Sequence, residues 1–448
     1  MTTDRPWGKA VVIGGSYAGL VTARVLADFF GEVVLVERDA VDEDTGVHPG
    51  APQGHHAHAL LARGGQILER LFPGLREELT AAGAPVFDYG EGIDFLLPVG
   101  LAPRHRTGVR IQTFTRDELE RRLRRKVLAL PQVTLMPSTR CTGLIRDASG
   151  RATGIICDPQ DADPRELAAD LVVDASGRSS SLTDWLGATG TTVPPKRTVK
   201  AKITYTSMNF DRPRESDPGH PDFYVAYQML FAPGVSRAGV MLAVERDRWT
   251  CSLFGFQDQP PTDDKGYLAF AETLENPHLA EHIGRRTAQE PTYRYTNADN
   301  QWRSYHAVKD WPERLIAVGD AVCVFNPVYG QGLTVAAMEA ELLQRMLRRH
   351  SASGRLDGLA RGFQKKLGRV LLGPWTLSTN SDLMWTPAGR PLTARFAHWY
   401  NTRLFHVAVK DAAVWARFVR VVNMVSSPAV LFHPLVALKV LTVTHRRT

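Results

Sequence analysis

Hydrophobic and polar positions divide the chain into recognisable elements. The first is a short apolar run, Ala10–Ile13, suited to a buried parallel strand. A glycine-rich turn, Gly14–Gly19, follows it. A helical pattern then runs through Leu20, Ala23 and Ala27 and is predicted to stop at Gly31. A second apolar run, Val33–Val36, ends on Glu37. Farther on, residues 237–256 alternate with period two: Val240, Leu242 and Val244, then Trp249, Cys251 and Leu253. That pattern predicts strands. Leu315–Val318 is another buried-strand run, and a helix carrying Ala336, Ala337 and Ala340 follows it. The last hundred residues read as helical. Within them, residues 421–438 lack a formal charge but contain Pro428 and Pro434, which argues against a transmembrane helix.

The opening strand–turn–helix–strand–acid series predicts dinucleotide binding. Gly14 permits a tight turn, and Gly19 lets the helix pack close to the strands. The helix start then offers free N–H groups to a pyrophosphate. Glu37 lies 23 residues after Gly14, where an acid accepts hydrogen bonds from an adenosine ribose. The middle glycine of the usual triplet is Ser16 here, whose small hydroxyl could contact phosphate. Gly15 and Arg38 complete the candidates at this end.

A second helix start distinguishes FAD from NAD. Gly319 and Asp320 precede a turn, Pro327–Gly332, that again aims a helix N-terminus at something negative. A flavin dinucleotide needs an acid for its ribityl hydroxyls and a positive dipole near its ring, where the reduced form carries negative charge. Gly319–Asp320 with Pro327, Gly330, Gln331 and Gly332 resembles the second FAD motif of the FAD-dependent monooxygenases related to aromatic hydroxylases and squalene epoxidase. Cys323 stands where that family often has histidine. Asp170–Arg178 resembles the family's middle motif, with Ser176–Gly177 in place of its Asp-Gly. Thr115 and Glu118 read as a capping box and Phe114 with Leu119 as a staple, starting a helix whose Arg116 occupies a family cofactor-contact position.

The stretch Gln53, Gly54, His55, His56, Ala57, His58 resembles a segment of actinobacterial polyether-type epoxidases that runs past the flavin ring. The resemblance makes His56 and His58 the candidate catalytic neighbours of the ring. No acid or thiol pattern accompanies the three histidines, so no metal site is expected.

The resemblance implies an α/β fold: a Rossmann-like FAD-binding domain with an inserted mixed β-sheet substrate domain and a C-terminal helical segment. The expected division is 1–85, 110–195 and 296–350 for FAD, 86–109 and 196–295 for substrate, and 351–448 for the helices. It also implies a flavin C4a-hydroperoxide that delivers one oxygen of O2 to a substrate, with NADPH, NADH or a partner reductase as electron donor. The rings of Tyr205, Phe210, Phe223, Tyr224, Tyr227, Phe231, Trp249, Phe254 and Phe256 line either an apolar pocket or a sheet core. They point to a small apolar substrate, and the epoxidase resemblance implies a polyene, terpenoid or polyketide and alkene epoxidation in secondary metabolism, such as antibiotic biosynthesis. An aromatic hydroxylase, a geranylgeranyl reductase-like oxidoreductase and a non-catalytic nucleotide binder are the alternatives. Halogenation fits less well, because no lysine occurs between Lys9 and Lys126 and the Trp-x-Trp-x-Ile-Pro motif is absent.

Composition adds boundaries. The four cysteines are scattered, which fits a reducing cytoplasm, and the first residues hold no apolar signal stretch. The net charge of +7 is carried without any basic–aromatic run of the kind that binds nucleic acid. Basic residues around 421–448 would permit peripheral membrane contact; otherwise these helices would cap the substrate pocket.

Overall fold

The computed structural model describes residues 5–41, 56–58, 60–193, 195–286, 291–296, 298–386 and 390–443. It is a mixed α/β fold organised around two large sheets. The first is parallel, in the order Leu315–Ala317, Leu171–Asp174, Trp7–Ile13, Phe30–Val36, Val133–Met136. Its central strands are buried on both faces, which is why they read as unbroken apolar runs rather than alternations. The helix after the first strand spans Tyr17–Leu26. It ends earlier than the sequence suggested, and Gly31 falls inside the second strand. The helix Gly332–Ser351 packs with these strands in one hydrophobic core.

The second sheet has seven strands: Tyr293–Tyr295, Ile203–Asp211, Arg248–Phe256, Arg237–Val244, Val225–Gln228, Ile93–Leu97 and Gly100–Leu101. All its pairings are antiparallel except Val225–Gln228 with Ile93–Leu97, so the sheet is mixed. The period-two pattern sorts its side chains. Met241, Ala243, Trp249 and Cys251 pack against Tyr267, Phe270, Leu279 and Ile283 of two short helices. Leu242 and Val244 face the other way, where Phe95 and Val225 join Phe405, Trp415, Phe418 and Val436 of the C-terminal helices. The sheet is thus the middle of three layers.

The charge-free stretch 421–438 is broken rather than continuous. The helix Ala412–Val422 ends at buried Asn423, whose side chain bonds Val419 O and the Ala62 N–H. A 3₁₀ turn, Pro428–Phe432, follows, and Pro434 starts a new helix that ends at Thr442. Among the described residues no helix is long and apolar enough to cross a membrane.

One local expectation needs correction. Thr115 caps the helix Arg116–Leu128, accepting from the Glu118 N–H. The reciprocal half of the box does not form, because Glu118 is held by Arg121 and Arg122. Glu245, in the turn between two strands of the mixed sheet, takes the Thr115 N–H at 3.0 Å and its hydroxyl as well. Glu245→Ala strands both donors and should cost about 1–3 kcal/mol of stability, read from denaturant midpoints.

Candidate functional site

At the first turn, steric demand explains the glycines. Gly14 has φ 105°, and a Cβ on it would sit 2.5 Å from Ala175 O. A Cβ on Gly19 would lie 1.9 Å from Gly14 O. Gly15 donates its N–H to Glu37 Oε2 at 2.6 Å, and the other carboxylate oxygen accepts from the Asp39 N–H at 3.0 Å. Glu37 is therefore fixed at the end of its strand beside the turn. Arg38 points outward, 3.7 Å from the Asp39 carboxylate.

Ser16 joins this turn to the Arg116 helix. Its hydroxyl lies 3.0 Å from Glu120 Oε1 and accepts from Arg116 Nη2 at 3.0 Å. Arg116 Nε in turn donates to Glu120 Oε1 at 2.6 Å. Burial alone would lower the Arg116 pKa, but Glu120 and Asp320 outweigh it and hold it above the usual value. The Tyr17 hydroxyl is buried here with no hydrogen-bond partner among the described residues.

The second motif meets the first at this point. A Cβ on Gly319 would lie 2.9 Å from Ala18 Cβ, so Asp320 adjoins the first turn of the Tyr17 helix. Burial raises the Asp320 pKa, while Arg116, Arg178 and Arg303 oppose that rise. Arg303 also donates to the carbonyls of Asp320, Ala321 and Arg178, tying the second motif to the middle one. The middle motif is stapled by Asp174, which accepts from the hydroxyls of Ser176 and Ser180 at 2.5 Å each. Beneath Gly319 sits Glu339, whose Oε2 accepts the Gly319 N–H at 2.5 Å. Burial, with the nearby Asp320 charge adding to it, pushes Glu339 up to about 8, so it is mostly neutral at pH 7. Burial pushes the Cys323 thiol well above its ordinary value too.

The turn that starts the Gly332 helix rests on a buried acid. Asp382 accepts from Asn300 Nδ2 at 2.6 Å, Asn326 Nδ2 at 3.0 Å and the Tyr329 hydroxyl at 2.8 Å. Burial raises it to about 6. Gly330 takes the left-handed conformation, with φ 62°. Gln331 is buried, and its Oε1 has no hydrogen-bond partner among the described residues. Asp382→Ala would leave three donors without an acceptor. It should cost on the order of 3 kcal/mol and weaken FAD retention, measured by denaturation and by flavin content after gel filtration.

His56 lies against the mixed sheet. Its Nδ1 is 2.7 Å from Ser207 Oγ, which is 2.5 Å from Ser252 Oγ, and Ser252 accepts the Ala57 N–H. The His56 ring meets Tyr205 edge-on at 4.7 Å and Tyr295 at 5.8 Å. Leu61 N–H donates to Thr334 Oγ1, bringing this segment onto the start of the Gly332 helix. His58 is half-buried, while Gln53, Gly54 and His55 lie outside the described residues. Among the described residues no group of three or more His, Cys, Asp or Glu is arranged to hold a metal ion. Tyr205, Leu230, Ala238 and Phe254 form an apolar cluster that packs with Val328 of the turn and with Trp385. Phe210, Phe223 and Trp249 instead fill the sheet core under the two short helices.

These features fit FAD. The Gly319 loop touches the first turn of one helix and Glu339 of the other, a close-approach glycine cradle sits at the first, arginines surround Asp320 beside it, and a buried amide oxygen is left open at the start of the second. Residues 8–358 match the FAD binding domain family. The chain belongs to that family. It is 31% identical over 410 residues to Protein Rv3254 of Mycobacterium tuberculosis, covering 86% of this chain and 84% of that protein. Its fold is similar to the flavin-dependent brominase Bmp2, with TM-score 0.65, 14% identity and 93% of each chain covered. Pseudomonas aeruginosa PqsL, in complex with 2-aminobenzoylacetate, gives TM-score 0.64 and 16% identity over 85% of this chain and 98% of that one. The myxobacterial chondrochloren halogenase CndH gives 0.63 and 14% over 94% and 96%. The resemblance drawn from the motifs therefore holds at the level of the FAD binding domain family, and the solved structures share its fold.

Sequence reading missed Glu120, Arg303, Glu339 and Asp382. Glu120 alone had a local signal, its i,i+4 spacing from Arg116 on one helix face.

Proposed function

We propose that the chain is an FAD-dependent monooxygenase that places one oxygen atom of O2 on an apolar unsaturated substrate, as an alkene epoxide. The electrons would come from NADPH or NADH, directly or through a partner reductase. The observation that carries this reading is the junction of Gly319–Asp320 with the first turn of the Tyr17 helix, beside an apolar cluster that includes Val328. FAD, when bound, supplies two-electron redox chemistry and oxygen activation. Gly14, Gly15 and Ser16 with the helix start would bind its pyrophosphate, and Glu37 its adenosine ribose. Arg116 would balance phosphate charge and Asp320 accept from the ribityl hydroxyls. The Pro327–Gly332 turn would orient the ring, with the helix dipole favouring negative charge there.

In this division of labour, residues 1–85, 110–195 and 296–350 hold FAD, and 86–109 with 196–295 hold the substrate. Tyr205, Phe254, Tyr295 and Trp385 would exclude water and present an apolar wall. Alkene epoxidation needs no base to ionise the substrate, which suits such a wall. A phenol would need one. The His56–Ser207–Ser252 chain is the observation that favours aromatic hydroxylation as the second reading, because it could pass a phenolic proton.

The test is purified holoprotein with NADPH, 18O2 and a panel of polyenes and phenols, analysed by mass spectrometry. A singly labelled epoxide supports the proposal. Labelled phenols alone would select the second reading, and anaerobic turnover would select a reductase.

A further inference from the structure

The C-terminal helices carry a surface that the flavin site does not use. On the helix Leu392–Ala408, Leu392, Phe396 and Trp399 recur at spacings of four and three. Phe432, Leu435, Leu438 and Leu441 recur every three residues across the last turn and helix. All seven are between 42% and 78% exposed. The rings join the two rows: Phe432 stacks on Tyr400 at 4.6 Å, and Phe396 lies 6.1 Å from the same ring. Tyr400, Leu404, Phe405, Val436 and Val440 on the inner faces of these helices already fill the core against the mixed sheet. The outer row is therefore surplus to folding, and apolar surface gathered in one place marks an interface.

Charge says what kind. Residues 390–448 contain nine Lys or Arg and a single acid, Asp411, for a net +8. The chain totals +7, so the preceding 389 residues sum to −1. Asp411 is itself committed: it caps the Ala412 helix and pairs with Lys439. Arg395, Lys410, Arg420 and Lys439 are exposed. Arg403 lies 5.4 Å over the Trp399 ring and holds the carbonyls of Val440, Leu441 and Val443, locking the two helices together.

We propose that this face docks the protein on an anionic lipid bilayer, with the leucine and phenylalanine rows entering the acyl boundary and the basic side chains at the headgroups. Such lysines and arginines lay their stems on apolar surface and keep their charges in the polar layer. Each is drawn to the negative surface potential of an anionic membrane. A second copy fits the face poorly, because a two-fold contact sets the same patch against itself and brings the two basic segments together. The absence of a spanning helix among the described residues agrees with docking on one leaflet.

The test floats FAD-loaded full-length protein with phosphatidylcholine vesicles, alone or with about 30 mol % phosphatidylglycerol, at low and high salt. Flotation with the anionic vesicles is expected, falling at least about tenfold without the anionic lipid or at high salt. The triple variant Phe396→Glu, Leu435→Glu, Leu438→Glu should stay yellow, melt as the parent does and lose flotation. The proposal is overturned if the parent stays unbound, if lipid charge makes no difference, or if the triple variant floats undiminished. It is equally overturned if the parent forms a dimer that the triple variant abolishes, which would assign the face to a second copy. Because no readout is turnover, failure here leaves the monooxygenase reading standing.

Discussion

Gly19→Val should yield a colourless protein. Its Cβ would lie 1.9 Å from the Gly14 carbonyl oxygen, a backbone atom that cannot swing aside as a side chain does. The turn must open, and the N–H groups meant for a pyrophosphate lose their aim. Overpacking of this kind costs roughly 1–3 kcal/mol or more in stability. The loss of FAD affinity should reach at least about 100-fold, equivalent to roughly 2.7 kcal/mol. Gly332→Ala is the informative partner. Among the described residues, no atom beyond its chain neighbours and its own helix backbone comes within 4 Å of a Cβ there. The apoprotein should be as stable as the parent or gain about 0.5–1 kcal/mol from the better helix former, while FAD binds more weakly because the added methyl meets the cofactor. Isothermal titration of both apoproteins with FAD, beside urea denaturation, separates the two effects. Unchanged FAD affinity in Gly332→Ala would move the flavin away from that helix start.

Glu339→Gln should change the pH dependence of stability rather than the flavin content. Glu339 has a folded pKa of about 8, above the ordinary carboxyl value, so the folded state holds its proton more tightly than the unfolded chain. Its stabilising contribution is fully present below the unfolded pKa of about 4.3 and is lost as pH rises through about 8. Glutamine keeps the shape and the carbonyl that accepts from Gly319 but does not titrate. Relative to the parent, the variant should gain on the order of 3 kcal/mol between pH 5 and pH 9, seen as diverging denaturation midpoints. Parallel midpoints across that range would mean Glu339 is not held neutral. Glu339→Ala, by contrast, leaves the Gly319 N–H buried without its acceptor and should release FAD.

What the sequence disclosed about this site was whatever is local in the chain. Gly14, Gly19 and Glu37 belong to one strand–turn–helix–strand unit, and Asp320 to Gly332 form one loop, so spacing alone exposes their chemistry. The mixed sheet was visible for the same reason, since Leu242 and Trp249 obey period two within one hairpin. Partners brought from elsewhere were hidden. Glu339 sits inside a helix where an acid ordinarily marks the solvent face, and only its Gly319 contact shows otherwise. Asp382 is 82 residues from Asn300 and 56 from Asn326. Glu245 displaced Glu118 from the Thr115 N–H because a strand turn 130 residues away arrives there first. The early end of the first helix at Leu26 had a similar cause: strand pairing of Phe30 with Trp7 claims Gly31 for the sheet.

A crystal structure of the yellow protein at a resolution that orients the cofactor tests the central claim most directly. The expected density runs from Glu37 past Gly14–Ser16 and between Arg116 and Asp320, with the ring system ending at Pro327–Gly332. Density that leaves either helix start untouched, or that runs in the opposite direction, would contradict it.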